Sequence, residues 1–427
     1  MKGLEELPFM LFADKQGNIY DHPYYRMAGF SNRHPYAIEP KDLMPMPEFS
    51  KLFYLPECPP IGIDPETGEC VMVPYIEIDG KKEKICAVSV FPEPGVVRTH
   101  LPAADYSTKS YLLPAWAYTA VGFKDEGYWI CGFWIERNHK WDPRNYDDIE
   151  LVERIKEYTS CHFTGRLVKH LIGCATTNHC FAAKNLFLER WEAPIPVSRR
   201  CNAACLGCLS FQPKGSFPAS HERIGFTPSK EEIVELAVNH LKNAPDAIVS
   251  FGQGCEGEPI MEYRLIAESI KEIRKRTKKG TINLNTNGSD PDKIRIIAEA
   301  GLDSIRISLN SVRPELYKAY YRPRNYDFYD VMESIYMAKR LGVYTMINYL
   351  IFPGITDQEE EIAALKSFIM EMKIDFIHLK NLCIDPALYS DKMPAGDSPA
   401  IGMRKVADLI KSSFPEVELG YFNRSLL

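Results

Sequence analysis

Cys201, Cys205 and Cys208 form a C-x3-C-x2-C run, a spacing at which three thiolates can hold three irons of a cubane [4Fe–4S] cluster. Full ligation takes four protein ligands, so the fourth iron stays open to bind and activate another molecule. The residues between them, Asn202, Ala203, Ala204, Leu206 and Gly207, are mostly small. Small residues let backbone wrap a cluster and aim N–H groups at its sulfurs. A structural zinc site completed by a distant Cys or His is the competing reading. Such sites usually pair their ligands as two C-x2-C-like knuckles, and no second knuckle follows downstream.

A second stretch with chemical content is Gly252-Gln253-Gly254-Cys255-Glu256-Gly257-Glu258-Pro259. A glycine-rich turn lets backbone approach a ligand closely, and a carboxylate in it can receive an ammonium group.

Both stretches need a scaffold, and from about residue 190 the sequence alternates strand and helix patterns. Strands are expected near 194–197, 247–251, 281–285, 304–309, 344–351 and 375–379. Helices are expected from Thr227-Pro228 and over about 261–276, 291–300, 329–341, 358–372 and 400–413. Six β/α units in a row imply a parallel sheet with right-handed crossovers, and fit a partial barrel better than a closed eight-stranded one. Alternate residues of a strand face opposite sides. Asn283, Asn285 and Asn287, then Arg306, Ser308 and Asn310, then Asn348, His378 and Lys380 therefore share an inner face, while Ile282, Leu284, Ile305, Ile307 and Leu309 face the helices. Several polar inner faces in succession describe a ligand-holding lumen.

With these motifs in this order, residues 190–385 resemble the radical S-adenosylmethionine (radical SAM) enzymes. Gly257-Glu258-Pro259 resembles the end of that family's Gly-Gly-Glu-Pro motif, which implies that Glu258 contacts the amino group of S-adenosylmethionine. Thr286-Asn287-Gly288, following Asn285, and Ser308-Leu309-Asn310-Ser311 resemble its ribose- and carboxylate-contacting elements. Residues 351–357 resemble the fifth-strand turn of activating-enzyme-type members. The resemblance implies a partial (β/α)6 TIM-type barrel, a [4Fe–4S] cluster and S-adenosylmethionine as cofactors, and a low-potential donor such as ferredoxin or flavodoxin. It also implies oxygen sensitivity and reductive cleavage to a 5′-deoxyadenosyl radical that removes a substrate hydrogen. Two positions depart from the family pattern. Gly207 replaces an aromatic residue, so that the adenine contact falls to Phe251 or Phe211, and Glu256 replaces the first Gly of the Glu motif.

The other cysteines leave alternatives open. Cys161, Cys174 and Cys180 can ligate an auxiliary [4Fe–4S] cluster, with Cys131, Cys255 or a non-cysteine group as fourth ligand, or can be core thiols. Their place upstream of the main motif, with Ser425 near the C-terminus, is similar to lipoyl synthase, which makes sulfur insertion an alternative reaction. A non-catalytic iron–sulfur carrier is a further alternative. Cys255 and Cys383 each follow a barrel strand at its C-terminal end, where such folds carry chemistry, and are candidate catalytic thiols. His162 and His179 adjoin the upstream cysteines and read as solvated or core histidines.

The first 187 residues differ in texture. They are rich in Pro and aromatic residues, with hairpin patterns at 71–91 and 117–135 and a helix at 147–158 presenting Ile149, Val152 and Ile155. The expected organisation is a β-rich accessory domain over 1–187, the barrel over 188–390, and a C-terminal helix and tail over 391–427. In the whole chain, 427 residues with 45% hydrophobic and 25% charged residues and a net charge of −6 describe an ordinary globular protein. No basic excess indicates a nucleic-acid partner. No apolar run approaches a membrane span, and the N-terminus lacks a signal-peptide pattern, so a cytoplasmic protein is expected. The substrate is not legible.

Overall fold

The computed structural model describes residues 4–31, 34–78, 80–161, 165–394, 396 and 398–426, apart from the side chains of Ile78 and Cys161. The chain divides into two compact units. One comprises Met1–Arg137, Leu350–Leu365 and Leu379–Pro415, the other Asn138–Tyr349, Lys366–His378 and Glu416–Leu427. These bounds differ from the expected ones at 187 and 390. Residues 138–187 fold with the barrel because they are three helices, α1 (Asp148–Cys161), α2 (Arg166–Thr176) and α3 (Phe181–Phe187), and not strands.

The first unit is built on a twelve-stranded sheet whose pairings are antiparallel. Its core gathers Leu11, Val88, Val90, Val96, Val121 and Ile130. Val121–Lys124 and Gly127–Trp134 form the expected hairpin, with Asp125 and Glu126 both left-handed at φ +51° and +59°. Two such residues match the twist of the flanking strands. The other expected hairpin is shifted: Tyr75–Ile78 pairs with Lys81–Lys84, while Cys86–Phe91 joins the main sheet beside Lys51–Leu55. Pro74 lacks the N–H that a continuous strand needs.

The second unit carries the α/β architecture. Strands β1 (Glu192–Pro194), β2 (Ile248–Phe251), β3 (Thr281–Thr286), β4 (Ser304–Leu309), β5 (Tyr344–Ile351), β6 (Phe376–Asn381) and β7 (Glu418–Gly420) form one sheet in chain order. The recorded pairings are parallel, and among the described residues the two ends are not joined, so this is a partial TIM-type barrel. β7 has only three residues and no apolar alternation, and the sequence reading missed it.

Helices α4 (Lys230–Asn243), α5 (Tyr263–Arg276), α6 (Pro291–Glu299), α7 (Pro314–Tyr321) and α8 (Phe328–Arg340) fill the connections, and α4, α5, α6 and α8 touch in succession as an outer layer. α4 begins two residues later than expected, because Ser229 and Glu232 close a reciprocal capping box. α5 buries Ile266, Ile270 and Ile273, and its basic last turn complements the helix dipole. In α1 the buried positions are Leu151 and Tyr158, whereas Ile149 and Val152 are exposed. Both sets satisfy helical spacing. Among the described residues no helix is long and apolar enough to cross a membrane.

Candidate functional site

The cysteine loop is held by backbone bonds at both ends. The N–H groups of Ala204 and Leu206 donate to the carbonyls of Tyr321 and Tyr320, each at 3.0 Å. Those carbonyls belong to the last turn of α7, where a helix has no internal partner for them. On the other side, Gly257 N–H donates to Ser198 O at 2.6 Å and Glu258 N–H to Arg200 O at 2.8 Å. This short ladder seats the Glu-containing turn directly against the chain entering Cys201. It also explains Gly257, because a Cβ there would lie 2.1 Å from Arg200 O. Gly252, where β2 ends, is left-handed at φ +81°.

Glu256, a departure from the family pattern at sequence level, is a buried brace. One carboxylate oxygen accepts from Val197 N–H at 2.8 Å and Ser198 N–H at 3.0 Å, the other from Gly252 N–H. Burial pushes its carboxyl up to about 8 while these three donors pull it down.

Glu258 is also buried. Its Oε1 accepts from Ile260 N–H at 3.1 Å and the Thr286 hydroxyl, and its Oε2 accepts from Asn287 N–H at 2.8 Å. An ionised carboxylate offers about four lone-pair sites, so Oε2 keeps one for an incoming ammonium. Burial pushes this carboxyl up to about 7. Pro259 opens the single turn that follows, with Glu258 as its cap.

The polar inner face is present on β3 and β4. Asn283 donates to Ser250 Oγ at 3.1 Å and Asn285 Oδ1 at 3.0 Å, and Asn285 donates to Phe251 O at 3.1 Å. Asn287 donates to Asn202 Oδ1 at 2.8 Å, and Asn202 donates to Ser289 Oγ at 2.9 Å. Asn310 is buried and donates to Leu316 O at 3.2 Å, while Ser308 is half-buried beside Asn348 in register. His378 is fully buried, 3.4 Å from Met346 Sδ.

The donor set fits an iron–sulfur cluster better than a single ion. Among the described residues, the His, Cys, Asp and Glu ligand atoms mutually within 4.8 Å are those of His170, Cys174 and Cys255. The Cys201, Cys205 and Cys208 thiols are spread wider, as they must be when each binds a different iron. Burial pushes the Cys201 thiol up to about 11 and raises Cys205 as well, so both hold their protons until a cation takes their place. Arg223 Nη2 donates to Cys208 Sγ at 3.6 Å, and its Nε donates to Ser210 Oγ at 3.1 Å.

Other expected residues are placed as follows. Phe251 is fully buried, and Phe211 is exposed with the Arg223 guanidinium 5.2 Å from its ring centre. Cys255 lies with Cys174 and His170, and the Cys255 thiol donates to Cys174 and draws it toward thiolate. Cys180 N–H donates to Cys174 O at 3.0 Å, and the Cys180 thiol lies outside that ligand set. Cys131 is fully buried in the first unit. The Cys161 side chain and His162 lie outside the described residues. His179 is exposed, 3.6 Å from Asp148. Ser425 has a different setting among the described residues. It lines a cleft of about 440 Å³ with Trp191, Asp246 and Asn423, beside the start of β2. Cys383 belongs to the first unit, where its thiol donates to Asn381 O at 3.6 Å. The Arg98 guanidinium nearby donates to Leu382 O at 2.8 Å, and burial pushes the Cys383 thiol up to about 11.

Sequence reasoning missed Asn202, Arg223, the carbonyls of α7 and the brace made by Glu256. Asn202 is visible in the sequence as a loop residue and Glu256 as a departure from the family motif; Arg223 and the α7 carbonyls carry no signal outside the fold.

Residues 195–365 match the profile of the Radical SAM superfamily. GTP 3′,8-cyclase of Petrotoga mobilis is 28% identical over 209 residues, which are 48% of this chain and 56% of the relative. GTP 3′,8-cyclase of Aquifex aeolicus is 30% identical over 180 residues, 41% of this chain and 53% of the relative. The FeMo cofactor biosynthesis protein NifB of Chlorobaculum tepidum is 25% identical over 182 residues, 38% of this chain and 42% of the relative. The chain thus spans about half the length of the curated relatives it matches. Residues 195–365 thus carry a Radical SAM superfamily domain, and the cofactors of that superfamily are a [4Fe–4S] cluster and S-adenosylmethionine.

Proposed function

We propose that this protein cleaves S-adenosylmethionine reductively at a [4Fe–4S] cluster held by Cys201, Cys205 and Cys208, and uses the product to remove a hydrogen atom from a substrate. The observation that carries this is a two-bond path from the cysteine loop to the acid. Asn202 Oδ1 accepts from Asn287 Nδ2, and Asn287 N–H donates to Glu258 Oε2, each at 2.8 Å. The cluster loop and the ammonium acceptor are thereby fixed to one another before any ligand arrives. An electron carrier needs no such acceptor.

When bound, the cluster and S-adenosylmethionine supply an electron and a carbon-centred radical. The chain's own residues position and shield. The three cysteines give up their protons to hold three irons, and Arg223 steadies Cys208 and tunes its charge. Oε2 of Glu258 receives the ammonium, and the backbone ladder at Gly257 and Glu258 keeps that oxygen in place. Asn285, Asn287, Ser308 and Asn310 offer donors and acceptors to the ribose and carboxylate. The buried strand faces around them exclude water that would quench a radical. A ferredoxin or flavodoxin as donor and a reducing, cytoplasmic setting belong to the same proposal.

The names of the relatives record different reactions, nucleotide cyclisation and cofactor assembly. What they have in common with this chain supports S-adenosylmethionine chemistry and leaves the substrate open.

The test is anaerobic reconstitution, reduction with dithionite and quantification of 5′-deoxyadenosine. The wild type forms it, and the Cys201/Cys205/Cys208→Ala variant forms none above background. Its absence from correctly loaded wild type overturns the reading.

A further inference from the structure

A second set of metal-type donors lies within the same unit and takes no part in the chemistry above. His170 and Cys174 are one helical turn apart on α2, on the same face, with His170 Nε2 3.6 Å from Cys174 Sγ. Cys255 comes from the turn after β2, and the three ligand atoms all lie within 4.8 Å of one another. Two ligands of one tetrahedral zinc, bound at about 2.3 Å for sulfur and about 2.0 Å for nitrogen, stand roughly 3.5–3.8 Å apart. Cysteines of a cubane sit on different irons and stand farther apart.

We propose that His170, Cys174 and Cys255 bind one zinc ion, at a second metal site separate from the Cys201 loop. The donor chemistry favours zinc, since two thiolates and an imidazole form a soft, tetrahedral-type set. Cys174 and Cys255 are 2% and 5% exposed, so their thiolates are shielded from solvent and need a cation to share the charge. Each thiol releases its proton to solvent on binding, and no redox change is involved. His221 stands beside the set. Its ring carbon would lie 2.9 Å from a Cβ at Gly254, next to Cys255, and its Nδ1 is buried with no hydrogen-bond partner. His221 lies outside the 4.8 Å set, so the three side chains hold the ion and a water takes the fourth position. The Cys255 backbone is itself pinned, its carbonyl accepting from Ile224 N–H at 2.8 Å. The ion therefore joins α2 to the turn that carries Glu256 and Glu258.

The experiment measures metals in the Cys201/Cys205/Cys208→Ala variant, which lacks the cluster ligands. We expect about one zinc per chain, lost in a further Cys174→Ser/Cys255→Ser variant. Loading the first variant with Co2+ gives the intense visible absorption of tetrahedral cobalt–thiolate, a readout that survives if the second variant fails to fold. Three results overturn the site: no zinc and no cobalt spectrum, about four irons with matching sulfide in the first variant, or a Cys174–Cys255 disulfide under reducing purification. None of these outcomes bears on whether the wild type cleaves S-adenosylmethionine.

Discussion

The two sulfur-donor sets of the barrel unit are built on opposite plans. The Cys201 loop presents three thiols from eight consecutive residues, spread apart and supported by backbone bonds to α7 and to the Glu258 turn. The His170–Cys174–Cys255 set is compact and brings together a helix and a turn remote from it in sequence. A loop whose shape is set by its backbone leaves its side chains free to span a cluster. A set whose shape comes from packed side chains closes around a single ion. Both reach the Gly252–Pro259 turn, one through the ladder at Gly257 and Glu258 and the other through Cys255.

The comparison can be broken in graded ways. Glu258→Gln removes the charge that meets the ammonium. A hydrogen bond to a charged group is worth about 1.5–3 kcal/mol, so S-adenosylmethionine affinity falls about tenfold to hundredfold by calorimetry, with the iron content unchanged. Loss of iron instead shows that Glu258 supports the loop itself.

The same residue sets a pH dependence. Its folded-state value, about 7, lies above the ordinary carboxyl range. It is therefore protonated below about 7, where it no longer attracts an ammonium. Affinity then drops about tenfold per pH unit below that point and is flat above it. In Glu258→Gln the slope disappears. An unchanged slope assigns the titration to another group.

Gly257→Ala forces a Cβ to within 2.1 Å of Arg200 O. The ladder must shift, at a cost of about 2 kcal/mol, seen as a fall in melting temperature of about 4–8 °C. An unaltered melting temperature means the loop is not held by that contact. Asn202→Ala, the mildest change, removes one hydrogen bond to Asn287 and costs about 1 kcal/mol, read as a several-fold rise in the Kd for S-adenosylmethionine.

What could be read from sequence follows the same division. The proposed cluster ligands Cys201, Cys205 and Cys208 stand out in the sequence because one loop carries them, and Glu258 because it closes a glycine-rich turn after a strand. The alternation of strands with helices placed β2 to β6 within a few residues, since their apolar faces are buried on one side and polar on the other. His170 does not stand out in the sequence, because nothing local distinguishes a proposed ligand from a core histidine. The sequence groups Cys174 with Cys161 and Cys180 and offers Cys255 as one fourth ligand; the fold places Cys174 with Cys255 and leaves the Cys180 thiol outside that set, while the Cys161 side chain lies outside the described residues. The exposed face of α1 was misread because Leu151 and Tyr158 fit the helical period as well as Ile149 and Val152 do. The sequence places a boundary at 187 and the contact division falls at Arg137; α2 and α3 lack the side-chain caps that announce α4, so the helical stretch 138–187 does not stand out.

The central claim is that one iron of the Cys201 loop's cluster is left without a protein ligand so that S-adenosylmethionine can bind it. Electron paramagnetic resonance of the anaerobically reconstituted, reduced protein tests this directly. The signal must change in g-values when S-adenosylmethionine is added, and must be absent from the Cys201/Cys205/Cys208→Ala variant. A reduced-cluster signal that S-adenosylmethionine leaves untouched contradicts the account.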